Sequence, residues 1–306
     1  MNLFRALLSL LVFPGLLFAA PMGWLMLGTE RKLTARLQGR IGPPLSQAFY
    51  DFVKLLAKAP VPRPASDRLL LTVLPLLSVG AMLGALALLP VASPAGGFAG
   101  DLILFVGLLE LAPLCSVLAG FASRSIYGEV GATREAILSI SGNVPFLVAL
   151  LAMAASAGSF QLAQIVAGTP WAVRIPGLLA VLLCLPVKLR LNPFSIANAE
   201  QEVLAGPLTE YDGARLALWE LAHALEWVVL AGLAAVLVLP FRNLPLAAGV
   251  PLFAAASWAL VPLLATVASA TARLKLPQAS RFLWRWALLA SAVTLCSTFF
   301  LRDWRP

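Results

Sequence analysis

Apolar residues run along this chain in long unbroken blocks, not at alternating positions. The blocks cover residues 3–28, 69–92, 101–123, 136–157, 173–189, 214–239, 244–270 and 282–301. Most reach the roughly 20 residues that cross a bilayer as a helix. They predict an all-α integral membrane protein of about eight transmembrane helices, one polytopic membrane domain over residues 1–306. Continuous apolarity excludes a transmembrane β-barrel, whose strands would alternate. The fourth and fifth blocks are hardest to delimit. The stretch "ASAGSFQLAQIVAGTPW" between them fits neither helix nor loop cleanly, and the fifth is short and ends in Pro186, Lys188 and Arg190. After a break at Gly42, Pro43 and Pro44, a shorter pattern appears: Leu45, Phe49, Phe52, Val53 and Leu56 recur at helical spacing, with Asp51, Lys54 and Lys58 off that face. This predicts an amphipathic helix lying in the membrane interface.

Composition supports the membrane assignment: 60% of the 306 residues are hydrophobic and 12% are charged, against about 25% charged in a soluble domain. The first block resembles a signal peptide in having Arg5 before an apolar run that ends in "FAAP". That reading fails because the run continues past Pro21 to Leu27 and a strongly cationic loop follows. Cys115, Cys184 and Cys296 lie inside apolar blocks without CxxC spacing, so neither a metal cluster nor a disulfide framework is indicated. The loop after the first block carries eight Lys or Arg residues, and the loops after the third, fifth and seventh add nine more, so that seventeen of the 22 fall on one side. The positive-inside rule makes that side cytoplasmic and puts both termini outside, in a multi-pass protein of the inner (cytoplasmic) membrane. The net charge of +8 then reflects topology, and no basic stripe with interleaved stacking aromatics suggests nucleic acid.

Three cytoplasmic segments stand out. Residues 30–61 combine the amphipathic helix with Arg36, Arg40, Asp51 and Lys54; they read as a surface anchor, as a platform for a soluble partner, or as both. In residues 123–143, Gly128 and Gly131 are expected to loosen the backbone around Glu129, with Arg134 and Glu135 where the fourth helix begins. Those acids could simply favour a helix N-terminus. The stretch "NPFSIANAEQEVLAGPLTEYDG", residues 192–213, holds Glu200, Glu202, Glu210 and Asp212 and no cation. Pro193 and the Gly206–Pro207 pair interrupt any helix through it, so it forms an acidic cytoplasmic loop. An ordinary solvated charge run is the plain alternative.

Ionisable residues also fall within the apolar blocks. Glu110 sits near the middle of the third, where an ionised side chain costs at least about 2.5 kcal/mol on insertion scales. It must therefore be neutral, paired or wet. The sixth block carries Glu220, the single histidine His223, and Glu226. At i,i+3 spacing His223 can touch both glutamates, and the array spans about 9 Å of helix rise. It could pass a proton inward, or it could only fasten helices together by hydrogen bonds. One histidine without a nearby cysteine argues against a metal site. No P-loop, dinucleotide fingerprint or nucleophile elbow suggests covalent chemistry on this chain.

The segments "ERKLTARLQGRIGP" with "DFVKLL", "SRSIYGEVGATRE" and "NPFSIANAEQEVLAGPLTEYDG", in that order, resemble three hallmark cytoplasmic segments of the subunit 1 family of respiratory complex I. The last resembles more closely the version in membrane-bound, energy-converting group 4 NiFe hydrogenases of the formate hydrogenlyase and Ech types. One position departs from the family pattern: Ser195 stands where the family usually has an acid after Pro-Phe. The resemblance implies a non-catalytic subunit of a membrane-bound oxidoreductase. It would bind no cofactor itself, with iron–sulfur clusters and a NiFe centre in partner subunits and a quinone possible at the interface. Implied partners are hydrogenase-like large and small soluble subunits, antiporter-like membrane subunits and the lipid bilayer.

On this reading Glu200, Glu202, Glu210 and Asp212, clustered and mutually repelling, are suited to taking up and releasing protons at the rim. Glu110, Glu135, Glu220, His223 and Glu226 would continue the path, and Arg36, Arg40, Asp51, Lys54, Glu129 and Arg134 would meet the docked module. The main alternative is the equivalent subunit of a respiratory NADH:quinone oxidoreductase, where the same loop borders the quinone site. A stand-alone secondary transporter would be expected to show inverted repeats with paired broken helices, and none is evident. A purely structural anchor would not need acids inside two spans.

Overall fold

The computed structural model describes residues 10–59, 68–91, 97–198, 202, 204–239, 241 and 244–303, and among these every regular element is helical. In chain order they are α1 (Leu16–Leu37), α2 (Gln47–Ala57), α3 (Arg68–Leu88), α4 (Asp101–Ala122), α5 (Ile126–Ala157), α6 (Leu162–Gly168), α7 (Trp171–Lys188), α8 (Gly213–Val238), α9 (Leu246–Trp258), α10 (Leu260–Ala270), α11 (Leu276–Phe282) and α12 (Leu288–Asp303). Seven stretches among the described residues are long and apolar enough to cross a membrane: Leu69–Leu88, Asp101–Ala122, Ile126–Ala157, Trp171–Lys188, Gly213–Val238, Ala247–Ala270 and Leu276–Phe300. They correspond to the second to eighth apolar blocks. The first block falls on α1, on residues 10–15 ahead of it, and on residues before 10, which lie outside the described residues; Glu30, Arg31 and Lys32 follow the block within α1, which continues to Leu37.

The ambiguous stretch between the fourth and fifth blocks contains a short helix, α6, followed by two extended residues, Thr169 and Pro170, that lead into α7. The amphipathic α2 forms where its periodicity predicts. The Phe49 and Phe52 rings lie 5.2 and 5.0 Å from the Trp24 ring of α1, while Phe49, Val53 and Leu56 keep an exposed apolar edge.

One boundary differs from expectation. Residues 126–135 are not a loosened loop: α5 starts at Ile126, so Glu135 lies inside the helix. Gly128 and Gly131 serve close packing instead of bending. A Cβ on Gly131 would stand 2.6 Å from the Gly206 Cα, so the missing side chain lets the loop after α7 lie against α5. That closeness offsets the roughly 0.5–1 kcal/mol that glycine costs inside a helix. Pro193 and Gly206–Pro207 do interrupt the next stretch: among the described residues, 192–198 are turns and Gly206–Leu208 is a 3-10 turn.

The helix α8 is the centre of the fold. It packs against α1, α2, α3, α7 and α9 and is buried along almost its whole length. Small residues permit this: a Cβ on Gly23 would lie 2.3 Å from the Ala224 carbonyl oxygen, so the α1 and α8 backbones touch. The helix carrying Glu220, His223 and Glu226 is thereby removed from lipid, and its ionisable groups need partners within the protein.

Candidate functional site

The site begins at the end of α7. The Leu191 N–H donates to the Pro186 carbonyl at 2.8 Å and the Arg190 N–H to the Val187 carbonyl at 3.1 Å, the pair of bonds that closes many helices. This ending puts Arg190 at φ 55°, a left-handed position that costs a non-glycine residue about 1–2 kcal/mol. Its side chain supplies the compensation. Arg190 Nε donates to Glu135 Oε1 at 2.9 Å and Nη1 to Glu226 Oε2 at 3.3 Å. Burial pulls the guanidinium pKa down, but the Glu135 and Glu226 charges outweigh it and hold it above the usual arginine value. The same Nη1 is 3.4 Å from His223 Nδ1, which is itself 3.2 Å from Glu226 Oε2. These last two contacts are alternatives. A bare Nδ1 accepts from Arg190, whereas a protonated Nδ1 donates to Glu226.

Two residues earlier, at the last residue of α7, Lys188 closes a second group. Its Nζ donates to Glu110 Oε1 at 2.5 Å and to Asn143 Oδ1 at 2.8 Å, and Asn143 Nδ2 donates to the other Glu110 oxygen. The ammonium also sits 4.5 Å from the Phe146 ring centroid. Glu110 is therefore paired, the second of the three states open to it on energetic grounds.

Two cavities connect these groups. The larger, about 210 Å³, is lined by Glu30, Arg190, Glu220, His223 and Glu226 together with Trp219. Among the described residues, Ser78 Oγ, Trp219 Nε1 and Trp227 Nε1, buried in residues of its wall, have no hydrogen-bond partner, and the cavity has room for several waters to satisfy them. The smaller, about 20 Å³, is bounded by Glu135, Asn143, Lys188 and Glu226, enough for one water. Glu226 lines both.

The structure thus brings together Glu110, Glu135, His223 and Glu226 from the sequence-derived set. Glu220 lines the larger cavity but makes no side-chain hydrogen bond among the described residues, so the expected double contact of His223 reduces to Glu226. Asp212, buried, is the N-cap residue of α8, and Glu210 lies two residues before it. Glu200 lies outside the described residues. The acidic loop is not free of cations: Glu202 Oε2 is 2.5 Å from Arg134 Nη1. Arg134 is consequently occupied in holding this loop to α5, and a docking role for it needs that pair to open. Asp51 accepts from Gln47 Nε2 at 2.8 Å and lies 3.6 Å from Arg31. Arg36, Arg40, Lys54 and Glu129 are exposed. Ser195 Oγ bonds to Asn192 and receives Arg273 Nε at 3.3 Å.

Sequence reasoning missed Lys188, Arg190 and Asn143 as site residues. In the sequence Lys188 and Arg190 read only as loop cations that set topology. The available signal was the need of Glu110 and Glu226 for buried counter-charges. Among the described residues no group of three His, Cys, Asp or Glu side chains is arranged to hold a metal ion.

The family described as NADH dehydrogenase matches residues 8–299. The chain is 35% identical over 224 residues to hydrogenase-4 component C of Escherichia coli, covering 71% of each chain. It is 30% identical over 309 residues to the corresponding NADH-quinone oxidoreductase subunit of Geobacillus kaustophilus, covering 94% of this chain and 92% of that one. A chain of the membrane-bound sulfane sulfur reductase, an archaeal respiratory membrane complex, superposes with a TM-score of 0.83 at 25% identity, covering 96% of this chain and 98% of that one. The chain belongs to the NADH dehydrogenase subunit 1 family and is a membrane subunit of the complex-I-like and group 4 hydrogenase type.

Proposed function

We propose that this subunit carries protons between the surface bearing the 192–213 loop and Glu110, and that it couples this movement to electron transfer in a docked redox module. The observation that carries the reading is the position of Glu226. It lines both cavities, bonds Arg190 and reaches His223, so the larger cavity and the Glu110–Lys188 group meet at one carboxylate.

The charge count suits proton exchange. Glu110, Glu135 and Glu226 face two buried cations, Lys188 and Arg190. With His223 neutral, the group bears one excess negative charge and can accept one proton without becoming positive. His223 offers the step. A proton arriving at Nδ1 from the larger cavity breaks its acceptor contact with Arg190 and makes a donor contact to Glu226. From Glu226, one water in the smaller cavity could reach the Lys188–Glu110 pair. Within the group, a change of one unit charge about 4 Å away shifts a neighbour by about 4 kcal/mol at an effective dielectric of 20, so a charge change that reaches one member is felt by the others.

Hydrogenase-like large and small soluble subunits would rest on the exposed Arg36, Arg40, Lys54 and Glu129, and antiporter-like membrane subunits would continue the path laterally. Iron–sulfur and NiFe centres would belong to those partners. The test is redox-driven acidification in vesicles holding the intact complex. The Glu226→Gln complex should assemble yet lose acidification together with redox turnover, since the two are thermodynamically linked. Wild-type acidification in that variant would refute the path.

A further inference from the structure

From Trp227 to Arg302 the chain contains no aspartate or glutamate. Within this acid-free quarter, the connection from α10 to the last span concentrates Arg273, Lys275, Arg281 and Arg285, all exposed. Among the described residues none of the four makes an ion pair. Arg273 has only the neutral Ser195 hydroxyl as a side-chain partner. The backbone amide of Leu274 donates to the Pro193 carbonyl at 3.0 Å, so this hairpin lies on the same side as the acidic loop.

The chain enters the membrane here through a π turn, Leu283–Ala287, a local geometry often found at functional positions. Trp284 and Trp286 flank Arg285 and are 47% and 54% exposed. Arg281 and Arg285 are four residues apart, about one turn, so their guanidinium groups are neighbours. Below Trp286, the exposed residues Leu289, Val293 and Phe300 follow at helical spacing. They form an outward apolar stripe on a helix long enough to span. The cations therefore stand at the top of a lipid-facing surface, at headgroup level, where indole rings prefer to sit.

We propose that Arg281, Arg285, Trp284 and Trp286 form a binding site for the headgroup of an anionic phospholipid in the leaflet on the acidic-loop side. The two guanidinium forks match phosphate oxygens. The indoles bury against the glycerol and upper acyl region with their N–H groups directed to the polar layer. Arg273 and Lys275 extend the positive field that draws the lipid in. A lipid fits this place better than a protein partner, because a protein would have to carry carboxylates to the depth of Trp286 to match the charge.

The intact complex in bilayers containing both phosphatidylglycerol and phosphatidylcholine, with a headgroup photoprobe on one lipid or the other, tests this. The phosphatidylglycerol probe should label residues 273–289 and the phosphatidylcholine probe should not. The label should persist when inorganic phosphate is added in large excess over the probe, which separates a lipid site from a free-phosphate site. Arg281→Gln with Arg285→Gln should lose most of the labelling, and Lys58→Gln, an exposed cation elsewhere, should keep it. If the double variant fails to assemble, the comparison of the two probes on the wild type still decides. Equal labelling by both probes, displacement by inorganic phosphate, or crosslinking of this segment to a protein subunit in place of lipid would overturn the proposal.

Discussion

The Nε of Arg190 lies 2.9 Å from Oε1 of Glu135, and the arginine makes this contact from a left-handed backbone position with φ 55°. Local conformation and tertiary need disagree at this residue, and the tertiary need prevails. Arg190→Gly would relieve about 1–2 kcal/mol of backbone strain. It would also leave Glu135 and Glu226 buried without their cation, at about 3–5 kcal/mol for a broken buried pair. The expected result is a net loss of stability, read as a lower midpoint of thermal unfolding of the detergent-solubilised complex. Arg190→Lys should fall between: it keeps the charge, but its donors sit on one nitrogen and lose the spaced fork that reaches Glu135 from Nε and Glu226 from Nη1.

The pair Arg134–Glu202 has side chains 25% and 56% exposed, so its worth to stability is about 1 kcal/mol or less. Its effect should be local. Arg134→Ala is expected to speed hydrogen exchange in residues 194–208 while leaving the unfolding midpoint almost unchanged. The charge-reversed double variant, Arg134→Glu with Glu202→Arg, should restore protection.

Gly131→Ala should separate the loop from α5. The new methyl would sit 2.6 Å from the Gly206 Cα, and backbone cannot move aside as a side-chain end can. Overpacking of this kind costs about 1–3 kcal/mol. Its signature would be proteolytic cleavage near residues 204–208 that is absent from the wild type.

The cation asymmetry of the sequence predicts that both termini lie on the face opposite the acidic loop. A cysteine added after Pro306 should react with an impermeant maleimide in intact cells. Reaction only after the membrane is opened would reverse the orientation.

The spans were legible because uninterrupted apolarity is a strong signal, and Glu226 and His223 stood out because ionisable groups inside such runs are rare. Their partners were less legible. Lys188 and Arg190 stand at the end of an apolar block, where cations ordinarily set topology, and only the fold turns them inward. Asn143 has no charge to draw notice. Gly128 and Gly131 suggested a loosened loop because glycine's flexibility and its small size read identically in sequence, and the close approach of Gly206 shows that size is what is used. The acid-rich stretch 192–213 seemed unpaired because the cation that meets Glu202, Arg134, lies 68 residues earlier.

The central claim is that the buried charges move protons and do not merely fasten helices, and the Glu110–Lys188 pair separates these roles most directly. Lys188→Met alone leaves Glu110 without its cation and should impair assembly; Glu110→Gln with Lys188→Met removes both charges and should restore it. If the pair is only a fastener, the neutral double variant should then pump as the wild type does. The measurement is the rate of redox-driven acidification in vesicles carrying the double-variant complex, with redox turnover recorded beside it and assembly verified by size. A fully assembled complex with acidification lost is the predicted result, and wild-type acidification from that complex would contradict the account.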